Sequence, residues 1–401
     1  VRNVARRLSL AQAASGLTSG AYTPFFGAWL AWKGLSPGMI GVVLSAGMLL
    51  RVIVGPISGL IADARNDRRA VMLFLLAVTA LGYGALGWLN TVLLIFIAAV
   101  SANVAIGATS PLLESVSVRL AERYGFDYGH VRLWASVLFV AANVLSGLAV
   151  TRFGLVVIAP WLAAAVLLNF IAVYRLPPPP PGRPRGDLFI RLRATFVEAR
   201  ELMRSGPFLL FLLAASFDQG SHAFYYNYGG IHWRALGFSG TLIGLLWPLG
   251  VLAEIALMSV SLGVFRVVGA TRLLALGALG CVIRWTILAF DPPLPLLIFA
   301  QFLHGATFAL AHLGAMYFIL KAVPPRLAAT AQSLYFVCSA GLVMGLATLA
   351  SGALYQNYGG RTYLLMSAMG LAALLFALWL GRSWHGGRIT ESAGEESLDT
   401  I

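Results

Sequence analysis

Charge is scarce in this chain. Only 11% of its 401 residues are Asp, Glu, Lys or Arg, against about a quarter in soluble domains. With 59% apolar residues and a mean hydropathy of +0.83, that shortage excludes an ordinary soluble protein. Acids are scarcer than bases, 15 against 28, for a formal charge of +13. In a soluble protein the excess would point to nucleic acid. Here the bases lie between long apolar runs, so no nucleic-acid partner is expected and the lipid bilayer is. Cysteine is almost missing. Cys281 and Cys338 fall in different apolar runs, which leaves neither a disulfide framework nor a metal-ligand spacing, and no cofactor is expected. The chain also lacks His-Glu-x-x-His and Gly-x-Ser-x-Gly, which argues against a membrane-embedded enzyme.

What is present is organised around Leu176 to Ser205. This stretch opens with five prolines, Pro177 to Pro181, and ends in a basic segment holding Arg191, Arg193, Arg200 and Arg204. Consecutive prolines lack N–H groups and cannot form a helix interior, so they make an extended spacer. Each flank is long enough for about six spans of ~20 residues. The run from Ser9 to Trp32 is longer than the core of a signal peptide and reads as the first span. The prediction is an all-α membrane protein with twelve transmembrane helices. Residues 1–176 and 206–381 form two six-helix halves. A hinge at 177–205 carries a short amphipathic helix, and a tail at 382–401 lacks periodicity and is expected to be disordered. Most Lys and Arg lie in the N-terminus, the hinge, alternate loops and the tail, whereas the other loops hold only Lys33, Arg152, Arg234 and Arg361. The positive-inside rule then makes both termini and the hinge cytoplasmic.

Six charges lie inside apolar runs: Arg51, Arg132, Arg284, Glu114, Asp218 and Glu254. Such groups are costly in lipid and mark solute or proton pathways. In the first span Gln12, Ser15, Ser19, Tyr22 and Phe26 recur at helical spacing, a stripe that either packs on a neighbour or lines a cavity. In the fourth, Asn103, Gly107, Ser110, Glu114 and Ser117 do the same. Arg132 lies early in the fifth, where a short loop lets it face Glu114. The seventh carries Asp218, His222 and Tyr225 on one face, and the eighth carries Trp247, Gly250 and Glu254. Arg284 lies in the ninth, and Gln301, His304 and His312 lie in the tenth. On an α-helix the last two are ~12 Å apart and on different faces. Each histidine is either a packed, hydrogen-bonded ring or part of a polar site.

The segment Gly59-Leu60-Ile61-Ala62-Asp63-Ala64-Arg65-Asn66-Asp67-Arg68-Arg69 resembles the signature loop of the major facilitator superfamily. It departs from the signature at Ala64, where a basic residue is usual, and at Asn66, where a loop glycine is. The resemblance implies a conformational latch at Asp63 and Arg68. Pro111 to Glu114 followed by Asp127-Tyr128-Gly129-His130-Val131-Arg132-Leu133-Trp134 resembles the phenylpropionate transporter group of that superfamily. So do Gln219 to Tyr226, Leu303-His304-Gly305 and Ala311-His312-Leu313, and the resemblance covers nearly the whole chain. A more distant one, to lactose permease, implies that Glu114 and Arg132 line the substrate site. It also implies that Glu254, Arg284 and His304 carry proton coupling, with Asp218 and His312 as further participants. Thr307 stands where that permease has an acid, and Asp218 lacks a basic partner on the eleventh span. The implied protein is a proton-coupled symporter of a small organic solute, working by alternating access, as a monomer in a bacterial inner membrane. A proton-driven exporter and a sensor of the same fold are the alternatives. For substrate, Arg132 and Arg284 suit a carboxylate, with Tyr22, Phe26, Tyr225 and Trp247 as walls for an aromatic ring. If Glu114 and Glu254 already neutralise those arginines, a neutral sugar or nucleoside suits the same groups.

Overall fold

The computed structural model describes residues 2–178, 188–260, 263 and 267–389, and among these there is no strand. The helices are α1 (Arg2–Trp32), α2 (Pro37–Ala64), α3 (Arg68–Leu86), α4 (Val92–Tyr124), α5 (Tyr128–Phe153), α6 (Ile158–Tyr174), α7 (Leu188–Met203), α8 (Gly206–Gly220), α9 (Ala223–Ala235), α10 (Gly240–Ser259), α11 (Ala270–Leu288), α12 (Leu294–Phe302), α13 (Ala311–Ala322), α14 (Ala328–Phe336), α15 (Met344–Tyr358) and α16 (Tyr363–Ser383). Their starts follow local chemistry. Ser36 accepts the Met39 N–H with Pro37 next in line, and Asp67 accepts the Ala70 N–H.

Two π-helical turns, Gly305–Leu310 and Val337–Val343, join α12 to α13 and α14 to α15. Nine stretches among the described residues are long and apolar enough to cross a membrane, and the last, Pro325–Ser383, has the length for two. The polar stripe of α1 and the break between α8 and α9 keep those two rods out of that set. Adding them is consistent with the twelve predicted spans.

The break corrects the expected seventh span. Asp218, His222 and Tyr225 do not share one helix face, because α8 stops at Gly220 and α9 restarts at Ala223. The Ser221 hydroxyl turns back onto the Asp218 carbonyl at 2.6 Å and competes with the helical ladder.

By packing, the chain forms two compact units that do not follow chain order. The first comprises Val1–Leu188, Ala223–Leu249 and Gly345–Thr362; the second comprises Phe189–His222, Gly250–Met344 and Tyr363–Ile401. In the first unit, α1 packs on α5, α6 and α9, while α4 packs on α2 and α3. Its tightest approach is at Gly230, where a Cβ would fall 1.9 Å from the Pro24 carbonyl oxygen. Gly147 comes nearly as close to the Gly240 carbonyl oxygen, at 2.5 Å. Tyr228 closes the same region by donating to the Pro37 carbonyl at 2.8 Å.

The second unit is built on α11 packed against α16 and α13. Phe208, Phe211, Phe318 and Tyr335 fill its core, with Phe211 stacked on Phe318 at 4.5 Å. The predicted amphipathic helix is α7, which docks here through buried Leu202. Arg326 grips both oxygens of Glu201, and the Thr330 hydroxyl donates to Glu198. Trp384 lies edge-on to Phe318, and the Ile389 N–H donates to the Ala322 carbonyl at 2.8 Å. The tail expected to lack order is therefore packed as far as Ile389. Its remainder, 390–401, and hinge residues 179–187 lie outside the described residues.

The Arg326 guanidinium holds the Glu201 carboxyl below the ordinary carboxylate range. A lowered pKa means the contact is intact at neutral pH and lost only as pH falls through the lowered value. The pair is largely exposed, so it contributes at most about 1 kcal/mol. Arg326→Gln should leave the fold intact and speed chymotryptic cleavage at exposed Phe196 on α7 by up to about five-fold. Glu201→Gln should match it, and the double variant should add nothing. Wild-type cleavage rates in both would mean that Leu202 and the Thr330–Glu198 contact hold α7 without this pair.

Candidate functional site

A dense polar cluster lies in the second unit and is largely buried. Arg284, about one turn before the C-terminal end of α11, is fully buried. Its Nη1 donates to His304 Nδ1 at 2.9 Å and to Thr307 Oγ1 at 3.2 Å, its Nη2 donates to Gln301 Oε1 at 3.3 Å, and its guanidinium lies 4.6 Å from the Trp285 ring centre. An arginine never gives up its proton here, so His304 Nδ1 acts as an acceptor and the neutral ring carries its hydrogen on Nε2. That atom faces Glu254 Oε2 at 3.9 Å.

A second chain of bonds runs beside it. His222 Nδ1 meets the Asp218 carbonyl at 3.2 Å and must donate there, so neutral Nε2 accepts the Thr307 hydroxyl at 3.1 Å. The Cys281 thiol donates to Asp218 Oδ1 at 3.5 Å, and Trp285 Nε1 donates to Ser221 Oγ at 2.9 Å. Asp218 Oδ2 is buried with no hydrogen-bond partner among the described residues. Glu254, Arg284, His304 and Asp218, which the sequence scatters over four spans, thus meet in one network. Thr307 joins its two branches.

Asp218, His222 and Cys281 also place one ligand atom each within 4.8 Å of one another. Both His222 nitrogens are already bonded and Arg284 adds a positive charge beside them, so the group reads as a closed hydrogen-bond network more than a cation site.

His312 corrects the ruler used for it. An α-helix puts residues 304 and 312 on different faces, but the π turn between them is wider. His304, Phe308 and His312 form a column, with ring centres 5.4 and 6.0 Å apart. Phe308 separates the two histidines, so His312 touches the network only through that ring.

The first unit holds the other predicted residues. Arg132 Nε meets Glu114 Oε1 at 2.9 Å, and the Tyr128 hydroxyl donates to Glu114 Oε2. Both charged side chains are more than a third exposed. Arg68 bonds Asp63 Oδ1 at 2.6 Å, and Asn66 takes the expected glycine's place at φ +50°, a conformation asparagine tolerates. Tyr22 and Phe26 stack at 4.7 Å, and Tyr225 and Trp247 approach to 4.3 Å. Trp247 Nε1 is buried without a hydrogen-bond acceptor among the described residues.

Gln12 is not a cavity residue: it is buried and donates to Ser117 of α4 at 3.1 Å. Arg51, Asn103 and Tyr83 were not assigned to the site from sequence, yet they surround Tyr22. The Tyr83 hydroxyl donates to Asn103 at 2.9 Å, the Tyr22 hydroxyl lies against Asn103 and Arg51, and the Arg51 stem crosses α4 at Gly107, where a Cβ would fall 2.2 Å from Cδ. The intramembrane charge of Arg51 and the polar stripe of α4 were the available signals.

The chain is similar in sequence and in fold to known proteins. The MFS_1 like family matches residues 17–366. A protein of Escherichia coli strain K12 described as a probable 3-phenylpropionic acid transporter is 33% identical over 367 residues, covering 88% of this chain and 92% of the relative. A maltose permease of Geobacillus stearothermophilus is 28% identical, covering 90% and 89%. Among solved structures, the nucleoside transporter NupG superposes with a TM-score of 0.79 at 16% identity, covering 95% of this chain and 98% of that one. A D-xylose-proton symporter superposes at 0.70 and 15% identity, covering 97% and 98%. At those identities the two structures speak for the fold.

The two charge clusters differ in exposure, and their stabilities should differ accordingly. Glu114→Gln should change unfolding free energy by no more than about 1 kcal/mol. Arg284→Ala strips a fully buried network of its cation and should cost about 3–5 kcal/mol. Denaturant unfolding of the purified variants in detergent measures both, and equal losses would contradict the assigned environments.

Proposed function

The chain belongs to the MFS_1 like family and is a multi-pass membrane transporter of small solutes, and from that premise we propose that it is a proton-coupled symporter of a small organic acid working by alternating access. Both termini and the hinge lie in the cytoplasm in this reading, and the membrane is the inner membrane of a bacterium. The moving bodies are the halves 1–176 and 206–381, and the working unit is the monomer.

One observation carries the coupling: the contact from Arg284 to His304 Nδ1, with His304 Nε2 turned toward Glu254. While Arg284 occupies Nδ1, a proton on Glu254 has no free acceptor on that ring. Withdrawal of Arg284 during rocking opens Nδ1, and the imidazole can then take a proton at Nδ1 while passing the one on Nε2 to Glu254. When the guanidinium returns it displaces the Nδ1 proton to water and Glu254 hands its proton back to Nε2, which restores the starting state with one proton released. Asp218, with one oxygen unbonded, is the second candidate for the carried proton.

The packing of the first unit supports a conformer closed on its outer side. Segments Ala223–Leu249 and Gly345–Thr362 come from the second half of the chain yet pack with the first. The Gly230 and Gly147 approaches bring backbone against backbone there, at the end away from the arginine-rich loops. Asp63 and Arg68 act as the latch of the α2–α3 turn.

For the substrate, Tyr22, Phe26, Tyr225 and Trp247 supply flat apolar surface, and the unpaired Trp247 N–H is a donor for a ligand oxygen. Arg51, beside Tyr22, adds a guanidinium at this surface to the one expected from Arg132. Phenylpropionate-like acids fit, in keeping with the description of the E. coli relative. The neutral reading rests on one contact: Glu114 already pairs Arg132, which leaves hydroxyl-seeking groups of the kind a sugar uses.

Two measurements test these readings. Glu254→Gln should lose uphill accumulation under an imposed pH gradient but keep exchange of internal for external substrate, because exchange needs no net proton release. Wild-type accumulation in that variant would move the proton site to Asp218. In competition against a labelled substrate, phenylpropionate-like acids should inhibit and galactosides or nucleosides should not. The reverse order would overturn the acid assignment and leave the transporter class untouched.

A further inference from the structure

A groove of about 900 Å³ runs down the outside of α1, α5 and α6, wholly within the first unit and apart from every residue assigned to transport. Its two ends differ in chemistry. One end is ringed by Arg6, Arg7 and Arg175, while the rest is walled by Leu10, Leu17, Trp134, Leu138, Leu168 and Ile171. Arg6, Leu10, Ala13 and Leu17 follow helical spacing, so one face of α1 changes from cationic to apolar along its length. Ala13 and Ala14 are small enough to leave the floor hollow.

The charges at the rim are not cancelled. Arg7 Nη1 donates to the Arg175 backbone carbonyl at 2.9 Å, which brings one guanidinium to the backbone of a second arginine. Among the described residues lining the groove the only acid is Asp127, and it is engaged locally. Its Oδ1 accepts the Gly129 N–H at 2.7 Å and its Oδ2 meets His130 at 2.7 Å. Clustered arginines call for an anion. The distance from Arg6 to Leu17 is ~16 Å along the helix, close to half of a ~30 Å hydrocarbon core. A free anion would need the rim alone. Leu10, Trp134 and Leu168 are about half exposed, so the wall opens sideways, where an acyl chain can enter. Trp134 is also suited to headgroup depth.

We propose that this groove binds one anionic glycerophospholipid, with its phosphate on Arg6, Arg7 and Arg175 and one acyl chain along α1. The site rests on the membrane reading of the chain, and on the proposed topology only for the leaflet, which is the cytoplasmic one. It does not depend on proton coupling or on the identity of the substrate.

Native mass spectrometry of the full-length protein in detergent tests it, with phosphatidylglycerol, phosphatidylethanolamine and inorganic phosphate as probes. The wild type should retain phosphatidylglycerol in preference to phosphatidylethanolamine. Arg6→Gln and Arg175→Gln should each weaken that preference by about five-fold. Ala13→Trp, which fills the floor without touching a charge, should weaken binding of both lipids. Glu254→Gln should bind phosphatidylglycerol like the wild type, which separates lipid binding from transport. Equal retention of the two lipids, wild-type binding by the arginine variants, or displacement of the lipid by inorganic phosphate alone would each overturn the proposal.

Discussion

A cation that cannot lose its proton, placed inside a hydrocarbon slab, must be answered by the protein itself. Arg284 is that cation, and the second unit is arranged around it. Four acceptors or ring surfaces from three segments converge on one guanidinium: His304, Thr307, Gln301 and Trp285. Dipoles, an imidazole and a ring face all help to solvate the charge, and Glu254 lies 3.9 Å from His304 Nε2. This is a poor device for maximising stability, because a buried charge is easily outperformed by apolar packing. A buried cation of this kind marks a solute or ion pathway.

The same constraint shapes the backbone. Where a helix is interrupted inside the membrane, its freed carbonyls need partners from side chains. The gap between α8 and α9 is answered by the Ser221 hydroxyl and by His222, which turn toward the Asp218 carbonyl. The interruption therefore does chemical service. It aims His222 at Thr307 and so ties the broken helix to the Arg284 cluster. The π turn after His304 acts in a similar way, since its extra width sets His304, Phe308 and His312 in one column.

In the first unit the corresponding device is the absence of side chains. Gly230 lies against Pro24, and Gly147 against Gly240, closer than any Cβ would permit. Without a hydrophobic driving force between helices in lipid, such approaches gain their energy from packing and weak polar contacts. They join segments far apart in the chain without large side chains between them.

Composition and periodicity were enough to read the membrane class, the spans, the hinge helix and the basic loops, because lipid imposes its demands on each span separately. The pairing of Glu114 with Arg132 was legible too, since a short loop forces α4 and α5 to be neighbours. Asp63 and Arg68 are five residues apart in one turn and needed no tertiary information. The convergence of Glu254, Arg284, His304 and Asp218 was anticipated by resemblance, but Thr307 and Cys281 as its connecting atoms were not, because uncharged side chains carry no signal until something is packed against them. Arg51 declared itself as a costly charge, yet only the crossing of α2 over Gly107 of α4 showed that it lies beside Tyr22. The break in α8–α9 and the π turn were invisible for one reason: a helical ruler assumes an unbroken 3.6-residue repeat, and tertiary contacts decide where a chain departs from it.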